Sequence, residues 1–126
     1  MSQADETRGD VVARGAWGSI RYATRRDGSR PAEEFLEDLD ASDQQKLAAL
    51  FERMAETGKI GNTQKFKKEE GHIFAFKSFR IRVGCFQVQR TWFLTHGFNK
   101  KSDHWPRSEL DKAERIRLEH LNRATR

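Results

Sequence analysis

With 126 residues, nine phenylalanines and three tryptophans, the chain has the length for one packed domain rather than two, and the aromatic content that disordered chains lack. A single cysteine, Cys85, excludes an intrachain disulfide and a cysteine-cluster zinc site. No apolar run approaches the ~18 residues of a membrane span, and the polar N-terminus has no signal-peptide core, so a cytoplasmic protein making no use of a membrane is expected. The net charge is +5 but unevenly spread: residues 33–56 hold eight acidic against two basic residues, and residues 58–101 hold ten basic against two acidic.

Residues 1–16 read as a flexible N-terminal tail, polar apart from Val11 and Val12, ahead of one domain over 17–126. Residues 17–24 alternate, with Ile20 and Tyr22 on one side and Arg21 and Ala23 on the other, as a short strand does. Asp27-Gly28 supplies turn chemistry. A helix is expected from Pro31, whose fixed φ suits a first turn, with Glu33 and Glu34 complementing the helix dipole and Phe35, Leu36 and Leu39 as its apolar stripe. Ser42 and Gln45 have capping-box spacing for a second helix. Leu47, Leu50, Phe51 and Met54 line that helix at i, i+3, i+4 and i+7, and Gly58 stops it.

Three strands follow over 72–77, 79–88 and 91–98, rich in Phe, Ile, Val, Thr and Trp, with Gln89-Arg90 as the tight connection between the last two. A polar loop over 100–104 leads to Trp105-Pro106. The closing helix has Ser108 near its start and Leu110, Ala113, Ile116 and Leu121 as candidate core positions. The order β-α-α-β-β-β-α predicts an α+β domain with a helical hairpin packed on one face of a small antiparallel sheet.

Function is not fixed by such an order, but three strings are more specific. HIFAFKSFRIRV at 72–83 resembles the central strand pair of the phage-derived, HigB-like branch of the RelE superfamily. THGFNKK at 95–101 resembles the segment that closes the sheet in that branch, and Pro106 followed by a helix matches what comes next. The resemblance spans about residues 17–121. It implies a RelE-like fold and the toxin of a type II toxin–antitoxin system, an endonuclease that cuts mRNA on the ribosome. It also implies a cognate antitoxin, expected to be a small helix-turn-helix protein from the adjacent gene. The implied chemistry uses no metal or cofactor: the ribose 2′-hydroxyl attacks the adjacent phosphate, leaving a 2′,3′-cyclic phosphate and a free 5′-hydroxyl.

Such a reaction needs a base, an acid, and cations for the charge gathering on phosphorus. Arg80 and Arg82 stand two apart on an expected strand, which places both on one sheet face. Their guanidinium forks suit a phosphate, and Arg80 is the better match to the arginine on the family's central strand. Lys77, at the end of the preceding strand, is expected to neighbour this pair across the sheet, where a cationic cluster would depress its pKa. His96 is the only histidine in the interior of an expected strand. Its alternation with Trp92, Leu94 and Phe98 fits a packed core histidine as well as a proton-transfer group, and His72 is the second candidate.

Lys65, Lys67 and Lys68 ahead of the sheet extend a phosphate track. Lys100 and Lys101 occupy the loop where RelE relatives carry a functional arginine, and Trp105 stands near where relatives place an aromatic that stacks on a base. The chain departs from RelE in one respect: the paired lysines of RelE fall near Ile73 and Ala75, so that acid–base pair is missing. A non-catalytic nucleic-acid-binding module on the same scaffold is the alternative reading.

Overall fold

The computed structural model describes residues 9–124. Nine elements follow in order: β1 Val11–Arg14, β2 Ser19–Tyr22, α1 Pro31–Glu37, α2 Ala41–Thr57, β3 Phe66–Glu70, β4 Ile73–Ser78, β5 Ile81–Val88, β6 Thr91–Asn99 and α3 Arg107–Ala124. The six strands form one sheet in the order β1-β2-β6-β5-β4-β3. All neighbours pair antiparallel except β2 with β6, which run parallel, so the sheet is mixed where an antiparallel one was expected. The parallel pair arises because the α1–α2 hairpin carries the chain to the far edge. The β3–β6 meander then returns until β6 lies beside β2.

Two strands extend the expected set. Of the expected tail, residues 1–8 lie outside the described residues, while Val11–Arg14 is the edge strand β1, paired to β2 and packed against α2. β3 is the other edge. Its sequence, FKKEE, carries little hydrophobic alternation because an outer strand is solvated on both sides apart from Phe66 and Glu69.

The helices arise much as their sequences direct. α1 has Pro31 at its start, with Glu33 and Glu34 in the first turn. α2 begins earlier than the Ser42 capping box suggested: Asp40 is its N-cap, and its carboxylate accepts from the Asp43 amide at 2.8 Å. An anionic cap satisfies an orphan amide and also meets the positive end of the dipole, so Ser42 is left inside the helix. Gly58 ends α2 with φ +73°, and a Cβ there would lie 2.4 Å from the Trp17 indole. Conformation and packing both require glycine.

The two faces of the sheet are covered by different helices. On one, Phe76, Val83, Cys85, Trp92 and Leu94 meet Leu47, Phe51 and Met54 of α2, with Phe51 edge-on to Phe76 at 4.9 Å between centroids. Each such buried apolar side chain stabilises the fold by roughly 1.5–3 kcal/mol. On the other, α3 packs Ala113 and Leu110 against Ile73 and Ala75, then Ile116 and Leu121 against Ala23 and Phe86. The hairpin therefore covers one face, as expected, and the closing helix covers the reverse face. Among the described residues no helix is long and apolar enough to cross a membrane.

Candidate functional site

β4 and β5 are joined by the two-residue turn Phe79-Arg80, because Ser78 pairs with Ile81. Register fixes which side chains share a face: Lys77 lies opposite Arg82, and Arg82 opposite Phe98. All three are on the α3 side of the sheet. α3, entered through Trp105-Pro106, covers the sheet from Ala75 towards Phe86. The end of the sheet carrying Lys77 and Arg82 lies beyond it, flanked instead by the loop of residues 100–104.

β3 completes this end. Lys67 lies opposite Ala75, so it joins the α3 side, whereas Lys68 lies opposite Phe74 and points to the other face. A register shift between Lys68 and Glu70 makes Glu69 the extra residue of a β-bulge. Its half-buried carboxylate interacts electrostatically with Lys67, Lys77, Arg82 and His104. Among the described residues it makes no hydrogen bond or ion pair. Burial raises its pKa above the ordinary carboxylate value, against the pull of those cations.

Lys77 donates from Nζ to the Thr63 carbonyl at 3.0 Å. Burial, then the charges of Arg82 and Lys67, lower its pKa below the ordinary lysine value. Arg82 is only 7% exposed, and its Nη1 donates to the carbonyls of Phe79 (2.7 Å) and Ile81 (2.9 Å). Those two bonds fix the guanidinium beneath the turn, while Nε and Nη2 have no protein partner among the described residues. A held fork with free donors, facing two lysines, is an anion-binding arrangement.

The structure separates residues that the sequence grouped. Arg80 is exposed in the turn and not on a strand, so it does not share a face with Arg82 as strand alternation implied. It lines a shallow depression of about 310 Å³ with Lys100, Lys101, Ser102 and Asp103. The Lys100 amide donates to the Arg80 carbonyl at 2.7 Å, and Lys100 Nζ lies 3.3 Å from Asp103. Lys65 is exposed at the head of β3, its carbonyl accepting from the Lys77 amide at 2.8 Å. His72 is exposed before β4, at the opposite end of that strand from Lys77, and takes no part in the cluster.

His96 and Trp105 are core residues. His96 is 1% exposed. Its Nε2 lies 2.9 Å from Glu109 and its Nδ1 3.2 Å from the Thr95 hydroxyl. The carboxylate only accepts, so the neutral ring donates from Nε2 and accepts from Thr95 at Nδ1. Burial lowers its pKa below the usual histidine value, although Glu109 opposes the shift.

Nor does His96 share a face with Trp92 and Leu94. Leu94 pairs with Cys85 and Gly97 with Val83, so Thr95 and His96 together oppose Gly84 alone. That bulge turns His96 and Phe98 to the α3 side, where His96 stacks near Phe98 at 5.7 Å. Trp105 is 8% exposed and edge-on to Phe98 at 4.7 Å, and burial removes the open ring face that base stacking requires.

Two residues escaped sequence reasoning. Glu69 was hidden inside an edge strand without hydrophobic alternation. Phe79 is 78% exposed and has φ +54°, at the position of a two-residue hairpin turn where glycine is favoured. Lys46 Nζ lies 4.6 Å from its ring centroid. The signal was available in Ser78-Phe79-Arg80, where a large aromatic interrupts what must be a tight turn.

Residues 34–118, about two thirds of the chain, match the family described as Phage derived protein Gp49-like (DUF891). That span contains the whole cluster and leaves β1 and β2 outside. No curated protein matches the chain.

Proposed function

The chain belongs to the phage-derived Gp49-like family, a RelE/HigB-like family associated with toxin–antitoxin systems, and on that premise we propose that it is a toxin that cuts mRNA on the ribosome. Its proposed chemistry is metal-independent attack of a ribose 2′-hydroxyl on the neighbouring phosphate. The supporting observation is the cluster at the uncovered end of the sheet, where Arg82, Lys67 and Lys77 converge on one face. Arg82 offers its free donors to the scissile phosphate and stabilises the charge that develops in the transition state.

Lys65, Lys100, Lys101 and Arg80 extend the cationic surface for neighbouring phosphates. Phe79, exposed beside Arg80, offers a ring for a base to stack on, the role that buried Trp105 cannot fill; one such contact contributes roughly 1–3 kcal/mol. The α1–α2 hairpin, acidic in sequence, faces away from RNA. Family membership implies an antitoxin partner; the form proposed for it is a small helix-turn-helix protein encoded next to the toxin, with both proteins in the cytoplasm.

Inducible expression in bacteria, with and without the adjacent reading frame, tests the proposal. The expected result is growth arrest, with new mRNA 5′ ends inside translated regions, both suppressed when the neighbour is co-expressed. Intact messages in healthy cells at good expression would overturn it. Salt-sensitive RNA binding by the purified chain without cleavage would instead identify a nucleic-acid-binding module.

A further inference from the structure

Residues 58–101 contain only two carboxylates, Glu69 and Glu70, and the structure treats them differently. Glu70 pairs with Arg107 at the start of α3, an exposed pair that fastens the helix to the sheet edge. Glu69, just before it in the chain, is the bulge residue of β3 and has no such partner among the described residues. Its carboxylate interacts electrostatically with Lys67 on its own strand, Lys77 on β4, Arg82 on β5 and His104 in the loop after β6. Lys100 and Asp103 of that loop face Lys77 and Arg82 in turn.

A carboxylate in this position opposes phosphate binding. If this face served binding alone, Glu69 would weaken it through like-charge repulsion while making no ion pair among the described residues. Glu69 stands two residues from Lys67 on β3, so alternation puts its side chain on the α3 face, within electrostatic reach of three cations. What a carboxylate adds to a phosphate site, and lysine and arginine do not, is an acceptor for a proton that is ionised at neutral pH.

We propose that Glu69 is a catalytic residue of the RNA cleavage described above, accepting the proton of the ribose 2′-hydroxyl while Lys77 supplies one to the departing oxygen. The assignment rests on the endonuclease reading. In the step, the Glu69 carboxylate takes the 2′-hydroxyl proton and the 2′-oxygen forms a bond to phosphorus. The bond from phosphorus to the 5′-oxygen breaks, its electron pair leaving on that oxygen, which takes a proton from the Lys77 ammonium. The products are a 2′,3′-cyclic phosphate and a 5′-hydroxyl, with Glu69 protonated and Lys77 neutral. Exchange with solvent restores both. Arg82, which stays charged, holds the phosphate throughout.

The two environments suit the two roles. Burial raises the Glu69 carboxylate and so makes it a stronger base, while burial and Arg82 lower Lys77 and make its ammonium a better donor.

The test is single-turnover cleavage of a 5′-labelled mRNA on translating bacterial ribosomes, using the full chain across pH 5–9. For Glu69→Gln we expect a rate at least ~100-fold lower at neutral pH, loss of the acid limb of the pH profile, and RNA binding that is equal or tighter. Glu69→Asp should recover part of the rate and restore the limb. Lys77→Arg keeps the charge and should lose the alkaline limb. Binding measured on each variant establishes that it is folded. A Glu69→Gln protein that cleaves within about threefold of the parent, with the acid limb intact, would overturn the assignment and leave the endonuclease reading standing. A parent protein that binds these ribosomes and cuts nothing would overturn both.

Discussion

His96 provides a direct test of where chemistry ends and packing begins. Replacing it by alanine removes the bond to the Thr95 hydroxyl and the bond to Glu109, and opens a cavity between Phe98 and Trp105. A neutral hydrogen bond contributes about 1 kcal/mol, and one to a carboxylate more. Glu109 is 28% exposed, so its carboxylate regains water and that part is discounted. With the cavity included, the loss is about 3 kcal/mol. For a chain of this size each kcal/mol shifts Tm by about 4 °C, so His96→Ala should melt about 12 °C lower.

The difference should depend on pH. An unfolded histidine takes up a proton near pH 6.5, whereas the folded one, held lower by burial, resists until more acid. Between those values the unfolded state binds more protons. The stability contributed by neutral His96 is therefore full above pH 6.5 and drains away as the pH falls towards its folded value. The gap between parent and variant should narrow at pH 5, while His120, shifted in the same direction, titrates in both. Melting curves at pH 7.5 and 5, with cleavage assayed well below Tm, decide the matter. An unchanged Tm accompanied by lost cleavage would refute the core assignment and return His96 to the active site.

Arg82→Ala should lower cleavage by about 10²–10³, the equivalent of ~2.7–4 kcal/mol of transition-state stabilisation, and Arg80→Ala by less than about tenfold. The reverse order in single-turnover rates would move the centre to the depression beside Lys100. Gly97→Ala would place a Cβ 2.2 Å from Phe35 Cδ2. The forced displacement should cost roughly 1–3 kcal/mol in a denaturant melt, with part recovered by Phe35→Leu. Phe79→Gly removes a mostly exposed ring and relieves a φ that costs a non-glycine residue roughly 1 kcal/mol. Tm should hold or rise, while RNA affinity falls about fivefold or more from the lost stacking contact; a clear fall in Tm would mean the ring supports the turn.

The periodicities that define elements lie within short stretches of chain, and for that reason they were legible. Residues at 3.6 spacing from Leu47 to Met54, the stop at Gly58, the turn at Gln89-Arg90 and the helix after Pro106 all follow from local rules that tertiary contacts did not override. The opposition of an acidic hairpin and a basic sheet segment was likewise complete in the sequence. The edge strands were less legible. FKKEE has no fully buried residue to impose alternation, and β1 is four residues paired to β2 at the sheet edge.

Tertiary structure alone decided which side chains meet. Strand alternation carries a face assignment forward only while pairing stays in register, and one inserted residue inverts it. The bulge at Thr95 and His96 moved His96 away from Trp92 and Leu94, and the one in β3 set Glu70, opposite Ile73, on the same face as Lys67. Arg80 and Arg82, two apart in sequence, parted company because Arg80 falls in the hairpin turn while Arg82 is already paired in the ladder. The sequence by itself determined the elements and the sign of the charge on them. The composition of the site was set by pairing between strands distant in the chain, since register is a property of the sheet and not of any strand alone.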